Sequence, residues 1–233
     1  RDRLLPNDSD MLISSLIWEA LTVPGEKETV VPRLMQEWKQ NNSTEWEFMI
    51  ADGATFHDGS SVTSEDVVWS LKKMLSDEEN SFRLPVMPDS IRAAGANVVV
   101  METAEPNSQL PMLARLMTFV MKKGSSAEKP IGSGPFQLVS WENGSAKLKR
   151  FDNYHGTVAG VAEVHVIPFE DSTAMTNALL SGQIDLAQAA GPIAARSVEG
   201  NEDIKIVRRM NDSVIPLIMR TSDGPFSDVK VRQ

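Results

Sequence analysis

Few side chains in this sequence can do chemistry, and they are scattered. There are three histidines, His57, His155 and His165, and no cysteine. No His-x-x-x-His or Glu-x-x-His spacing is present, so zinc lacks its usual local ligand pattern. Carboxylates gather at Glu65-Asp66, Asp77 to Glu79 and Glu170-Asp171. Each group falls at a predicted helix end, where negative charge favours the backbone dipole or solvent. Glycosidic cleavage needs two carboxylates facing one cleft, and nothing in the spacing favours such a pair. There is no Gly-x-Ser-x-Gly elbow and no Walker loop. Gly132-Ser133-Gly134 begins like a dinucleotide fingerprint, but Gln137 stands where the third glycine belongs. Pro135 would also interrupt the helix N-terminus that holds phosphate, so the segment reads as a backbone turn before a strand. His57 and His155 read as structural hydrogen-bonding residues, and His165 as a surface or half-buried residue of an alternating strand. No catalytic set, metal centre or cofactor is expected.

The elements that must position these residues follow from periodicity. Met11, Leu12, Leu16, Ile17, Ala20 and Leu21 have helical spacing over 11–21, and Pro24-Gly25 ends that segment. Leu34, Met35 and Trp38 predict a short helix within 31–40. Trp46, Phe48 and Ile50 alternate with polar neighbours, a half-buried strand. Asp52-Gly53 and Asp58-Gly59 are turns. Thr63 with Asp66 three residues on forms a capping box for a helix whose buried stripe is Val67, Val68, Leu71, Met74 and Leu75. A loop over 84–90, a strand over 96–103, a helix over 110–119 and a linker over 124–129 follow. Strands are expected at 135–141, 145–151 and 161–168. Asp171 or Ser172 caps the next helix and Gly182 ends it. A strand at 184–187, a helix near 192–198 and strands at 203–209 and 214–221 complete an α/β alternation. Of the 12 methionines most sit on apolar helix faces as core filler, Met11 being the exception because it follows a polar turn.

Composition narrows the function classes. The chain has 233 residues and a net charge of −9, which repels nucleic acid and anionic membranes. No apolar stretch approaches the ~20 residues of a membrane span. The sequence opens at Arg1 without an initiator Met, as a mature or trimmed product would. At the far end Ser227 or Asp228 caps a helix that is expected to be cut in its first turn.

One stretch carries more specific information. Phe56-His57-Asp58-Gly59-Ser60-Ser61-Val62-Thr63-Ser64-Glu65-Asp66-Val67-Val68-Trp69-Ser70-Leu71 resembles the signature of the oligopeptide, dipeptide and nickel-binding family of ABC-importer solute-binding proteins. Pro130 to Phe136, the block from Ile167-Pro168 through Ala178 to Leu186, and Pro225 to Gln233 resemble further family segments in the same order. The resemblance implies an α/β fold: a periplasmic-binding-protein-like lobe with a mixed sheet and covering helices, plus a smaller inserted α+β subdomain. Residues 1–22 and 128–233 would form the main subdomain and 23–127 the insertion, with the second lobe absent. It implies hinge-bending closure on a solute, capture of peptides outside the cytoplasm, and delivery to ABC permease subunits. The location would be periplasmic or cell-surface, with any membrane tie a lipid anchor absent from this chain. No cofactor is implied.

By the same resemblance the turn before the first helix faces the cleft, which matches Asn7, Asp8, Ser9, Asp10 and Met11. Ser9 or Asp10 could instead simply cap that helix. The loop Gln188 to Gly191 after the expected strand, and Arg220, are the other candidates. Uptake of a nickel chelate or a sugar, and a carboxylate-dependent hydrolase, are the alternative readings. With half a cleft, this chain by itself is expected to bind weakly.

Overall fold

The computed structural model describes residues 8–25, 29–77, 80, 84–115, 118–126, 129–188, 191–207, 228 and 230. The chain divides into two units, Arg1–Pro168 and Phe169–Gln233. In the first, the elements in chain order are α1 (Asp8–Ile17), β1 (Thr22–Pro24), β2 (Val30–Pro32), β3 (Met35–Gln40), β4 (Glu45–Ile50), α2 (Ser64–Leu75), β5 (Arg92–Ala93), β6 (Val98–Glu102), α3 (Leu110–Leu113), β7 (Phe136–Glu142), β8 (Ser145–Arg150) and β9 (Glu163–Val166).

This unit contains two hydrophobic cores. The first lies between α2 and an antiparallel sheet of order β3-β4-β6-β5. The expected alternation holds in β4: Trp46, Phe48 and Ile50 are buried while Glu45, Glu47 and Met49 are half-buried. The predicted capping box also forms. The Thr63 N–H donates to Asp66 Oδ2 at 3.0 Å and the Asp66 N–H donates to Thr63 Oγ1 at 3.4 Å. It fixes where α2 starts, so that Val67, Leu71 and Leu75 face the sheet. Phe48 and Phe56 are fully buried, each side chain contributing about 1.5–3 kcal/mol.

The second core packs Ile13, Ile17 and Trp18 against Phe136, Ala146, Leu148 and Val166 of the antiparallel sheet β7-β8-β9. Asn143-Gly144, at φ 53° and 79°, makes the two-residue turn between β7 and β8. The loop before β7 passes against the end of α1. A Cβ on Gly132 would lie 1.9 Å from the Ile17 carbonyl oxygen, and one on Gly134 would lie 2.5 Å from that of Leu16. Both glycines are therefore required by close approach. The Gly134 N–H donates to Ile17 O at 2.9 Å, satisfying one of the carbonyls left open at the helix end.

Two helix expectations give way to extended chain. Residues 31–40 are strand: Trp38 pairs with Phe48 and Gln40 with Trp46. A bulge between Met35 and Glu37 interrupts the register, and Leu34 and Met35 are consecutive buried residues, so the spacing mimics a helical stripe. The helix over 110–119 stops after one turn at Leu113. The chain then leaves to bridge β-fashion, with the Val120 N–H donating to Glu19 O at 2.9 Å, and Thr118 Oγ1 accepting from the Leu21 N–H at 3.2 Å. The loop over 84–90 contains a 3-10 turn at Pro88–Ser90.

In the second unit, α4 (Ser172–Leu180) is capped by Asp171, whose Oδ1 accepts from the Ala174 N–H at 2.8 Å. It ends at Gly182, φ 72°, with Gln183 N–H bonding to Ala178 O and Gly182 N–H to Leu179 O. That paired closure is the expected glycine stop. Then α5 spans Gly191–Ser197. The strand expected at 184–187 is absent. No described segment of this unit runs beside it to complete a ladder, and Leu186 is exposed. Residues 203–207 are likewise not strand. Residues 208–221 and most of the expected helix start at 225–233 lie outside the described residues.

Candidate functional site

The expected solute-facing turn is drawn into helix. α1 begins at Asp8, so Ser9 and Asp10 sit inside its first turn rather than before it, and Met11 is its fourth residue. The helix-capping alternative for Ser9 or Asp10 is thereby corrected. Carboxylates here lie at the positive end of the helix dipole. Asp10 and Met11 are half-buried. The side chains of Asp8 and Ser9, and all of Asn7 and Arg220, lie outside what is described. Gln188 is exposed, and Gly191 opens α5 at φ 77° with open space where a Cβ would be. Asp10 and Met11 thus belong to the first unit, and Gln188 and Gly191 to the second.

The best-defined polar constellation is one that local spacing missed. Glu19 has a side chain with 0% exposure, set between α1 and β1. Its Oε1 accepts from the Tyr154 hydroxyl at 2.7 Å, and its Oε2 from the Ser133 hydroxyl at 2.9 Å. His155 Nε2 lies 3.1 and 3.0 Å from the two oxygens, so that nitrogen carries the proton it shares between them. Arg33 Nε lies 3.3 Å from Oε1, with its guanidinium 5.4 Å from the centre of the Tyr154 ring. Burial first, then the Glu19 charge, pushes the Tyr154 phenol far above its ordinary range. The carboxylate is thus fully paired. One signal was available: Glu19 is the sole charge in the apolar run 16–22, and a charge in such a run must find partners.

Ser133, His155 and Glu19 together invite comparison with an acyl-transfer triad, but the bonds run the wrong way. The hydroxyl donates to the carboxylate rather than to the imidazole, and Ser133 and Glu19 are buried beyond reach of a substrate. The constellation joins segments; it does not present a nucleophile.

His57 does similar work. Its N–H donates to Gly132 O at 2.8 Å and its Nε2 to Gly134 O at 2.9 Å, holding the two-glycine loop against α1. Its carbonyl accepts from Gln137 Nε2 at 2.9 Å. Desolvation depresses the His57 pKa, only partly offset by the Gly134 bond. Neighbouring Asp58 is held down to about 2, chiefly by its ion pair with Lys122 and by Ser60. His165 is exposed, 3.6 Å from Glu163. Among the described residues no group of three or more His, Asp or Glu could hold a metal ion, and no helix is long and apolar enough to cross a membrane.

The signature stretch 56–71 therefore holds turns, a cap and a clamp. Similarity to known proteins extends well beyond it. The oligopeptide-binding protein AppA of Bacillus subtilis is 25% identical over 97% of this chain and 45% of its own length. The HTH-type transcriptional regulator SgrR of Pectobacterium atrosepticum is 26% identical over 70% of this chain and 31% of its own length. Among solved structures, a nickel ABC transporter protein from Bacillus halodurans superposes with a TM-score of 0.72 at 25% identity, covering 82% of this chain and 41% of that one. The chain therefore spans less than half the length of each of these relatives. The family model for bacterial extracellular solute-binding proteins, family 5 Middle, matches residues 29–233. With its mixed α/β architecture and a signature made of fold-keeping residues, this chain belongs to the family 5 bacterial extracellular solute-binding proteins.

Proposed function

We propose that the protein carrying this chain captures a short peptide outside the cytoplasm and hands it to the permease of an ABC importer. The observation that carries this reading is the family match over residues 29–233, together with alignment to an oligopeptide-binding protein across nearly the whole chain. The relatives include an oligopeptide-binding protein and a D,D-dipeptide-binding protein, beside a transcriptional regulator that shares the region. In this reading 23–127 is a subdomain inserted between 1–22 and 128–233. The division of hydrophobic residues supports the insertion as far as residue 166, since one core is built from 21–120 and the other from 13–18 and 121–166, while 169–233 form a unit of their own. The candidate solute contacts are Asn7 to Met11 in the first unit and, taken by themselves, Gln188, Gly191 and Arg220 in the second, and the protein would reach the membrane surface through a lipid anchor or work free in the periplasm. A nickel chelate is the second reading, favoured by the similarity to the Bacillus halodurans nickel protein.

Calorimetry on the gene product that contains these residues tests both. Saturable heat from a short-peptide pool, with the peptides recovered intact, is expected. Heat from nickel with histidine and none from any peptide pool would move the assignment to the second reading. Asp10→Asn should weaken peptide binding and lower the unfolding midpoint only slightly, by the lost charge at the start of α1, and unchanged affinity would remove that turn from the site.

A further inference from the structure

The outer face of α2 carries a groove of about 310 Å³ lined by Glu65, Val68, Trp69, Lys72, Lys73 and Lys123. Its floor is apolar: Val68 and Trp69 are half-buried, with Trp69 packed against the second core on its inner side. Its rim is basic. Lys72, Lys73 and Lys123 are exposed, against the single carboxylate of Glu65. In a chain of net charge −9 the rim thus gathers three lysines against one glutamate. Lys73 Nζ sits 4.8 Å from the Trp69 ring centre, and Lys123 Nζ lies 3.7 Å from Glu65 Oε2, a loose exposed pair. No ion pair holds Lys72 among the described residues.

The two walls are fixed to each other. The Met121 N–H donates to Ser70 Oγ at 2.9 Å, and the Ser70 hydroxyl reaches Met121 O at 3.0 Å. The Lys123 N–H donates to Asp66 Oδ1 at 2.9 Å, the same carboxylate that caps α2. The capping box therefore also holds the 120–123 segment beside the helix, so the groove is preorganised.

We propose that this groove docks an acidic peptide segment of a partner protein, an apolar side chain seated on Val68 and Trp69 and its carboxylates on Lys72, Lys73 and Lys123. The apolar floor asks for a side chain, which a free phosphate or sulfate does not offer. The acidic remainder of the protein disfavours an anionic bilayer.

The test uses the gene product containing these residues and a fluorescein-labelled peptide, acetyl-Glu-Glu-Leu-Phe-Glu-Glu-amide, read by anisotropy at low ionic strength. Saturable binding that weakens with salt is expected. The triple variant Lys72→Gln, Lys73→Gln, Lys123→Gln should lose about tenfold or more in affinity, the sum of three modest rim contacts. All three positions are exposed and their contacts are weak, so its unfolding midpoint should fall only slightly. A binding-linked change in tryptophan emission should disappear in Trp69→Phe. Equal affinity in the triple variant would place the peptide elsewhere, in the solute cleft for example, and overturn the proposal. So would equal binding of a Lys-for-Glu version of the peptide, or binding to phosphatidylglycerol vesicles with none to the peptide.

Discussion

Replacing Glu19 separates a neutral isostere from an outright hole. In Glu19→Gln the side-chain oxygen can still accept from the Tyr154 hydroxyl, and the Ser133 hydroxyl can rotate to accept from the new amide. What is lost is charge assistance on the Tyr154 and His155 bonds and the attraction to Arg33, which is one-third exposed and can turn to water. Charge-assisted bonds exceed neutral ones by about 1 kcal/mol each; less the desolvation that a neutral amide no longer suffers, the cost should be about 1–2 kcal/mol. In Glu19→Ala the Tyr154, Ser133 and His155 groups are all orphaned in a buried site. At about 1–3 kcal/mol each, less the desolvation no longer suffered by a carboxylate, the loss should be about 3–5 kcal/mol. Urea unfolding followed by tryptophan emission reads this well, because all five tryptophans lie within residues 1–168. If Glu19→Gln left the midpoint unchanged, or Glu19→Ala cost no more than Glu19→Gln, the hub would not be a net stabiliser and the reasoning would fail.

Two further outcomes follow from the loop that crosses α1. The folded His57 pKa is below the 6.5 of the free side chain, so as pH drops the unfolded chain takes up the proton first. The His57 contribution is therefore intact above pH 6.5 and declines as pH falls below it. Asp58, at about 2 against 3.8, adds a loss in the same direction between those values. His57→Asn keeps a donor near Gly134 and should flatten the upper part of this pH profile; an unchanged profile would assign the acid sensitivity elsewhere. Gly132→Ala places a Cβ 1.9 Å from a backbone oxygen, so α1 or the loop must move, at about 3 kcal/mol or more. Gly59→Ala meets open space and carries only left-handed strain at φ 83°, about 1 kcal/mol. Equal unfolding midpoints for the two variants would contradict the close-approach argument.

Sequence reading succeeded wherever the partners are neighbours in the chain. Thr63 and Asp66 are three residues apart, Asp171 and Gly182 bracket one helix, and β4 carries its alternation within six residues. It failed where a distant partner decides. Leu34, Met35 and Trp38 have helical spacing, yet β4 supplies a ladder that a helix would leave unmade. The one-turn α3 yields to the bridge between Val120 and Glu19. Glu19 carries a local signal as a lone charge in an apolar run, but that signal does not name its partners, which are the distant Arg33, Ser133, Tyr154 and His155. The candidate solute residues rest on the family resemblance. Six of the eight are placed along the backbone, but α1 starting at Asp8 changes the turn that was expected to carry five of them into the first turn of a helix.

The same hub dictates an order of events during synthesis. Glu19 leaves the ribosome 114 residues before Ser133 and 135 before Tyr154. At ordinary elongation rates that interval is on the order of ten seconds, far longer than a helix or hairpin needs to form. Through it α1 has no β7-β8-β9 sheet to cover its apolar face, and the carboxylate stays hydrated. The core around α2 closes from residues 21–120 and can assemble meanwhile. The two cores should thus mature in sequence, the inner segment first and the outer one last. In that interval the nascent α1, rather than the finished surface, is the segment a chaperone would grip.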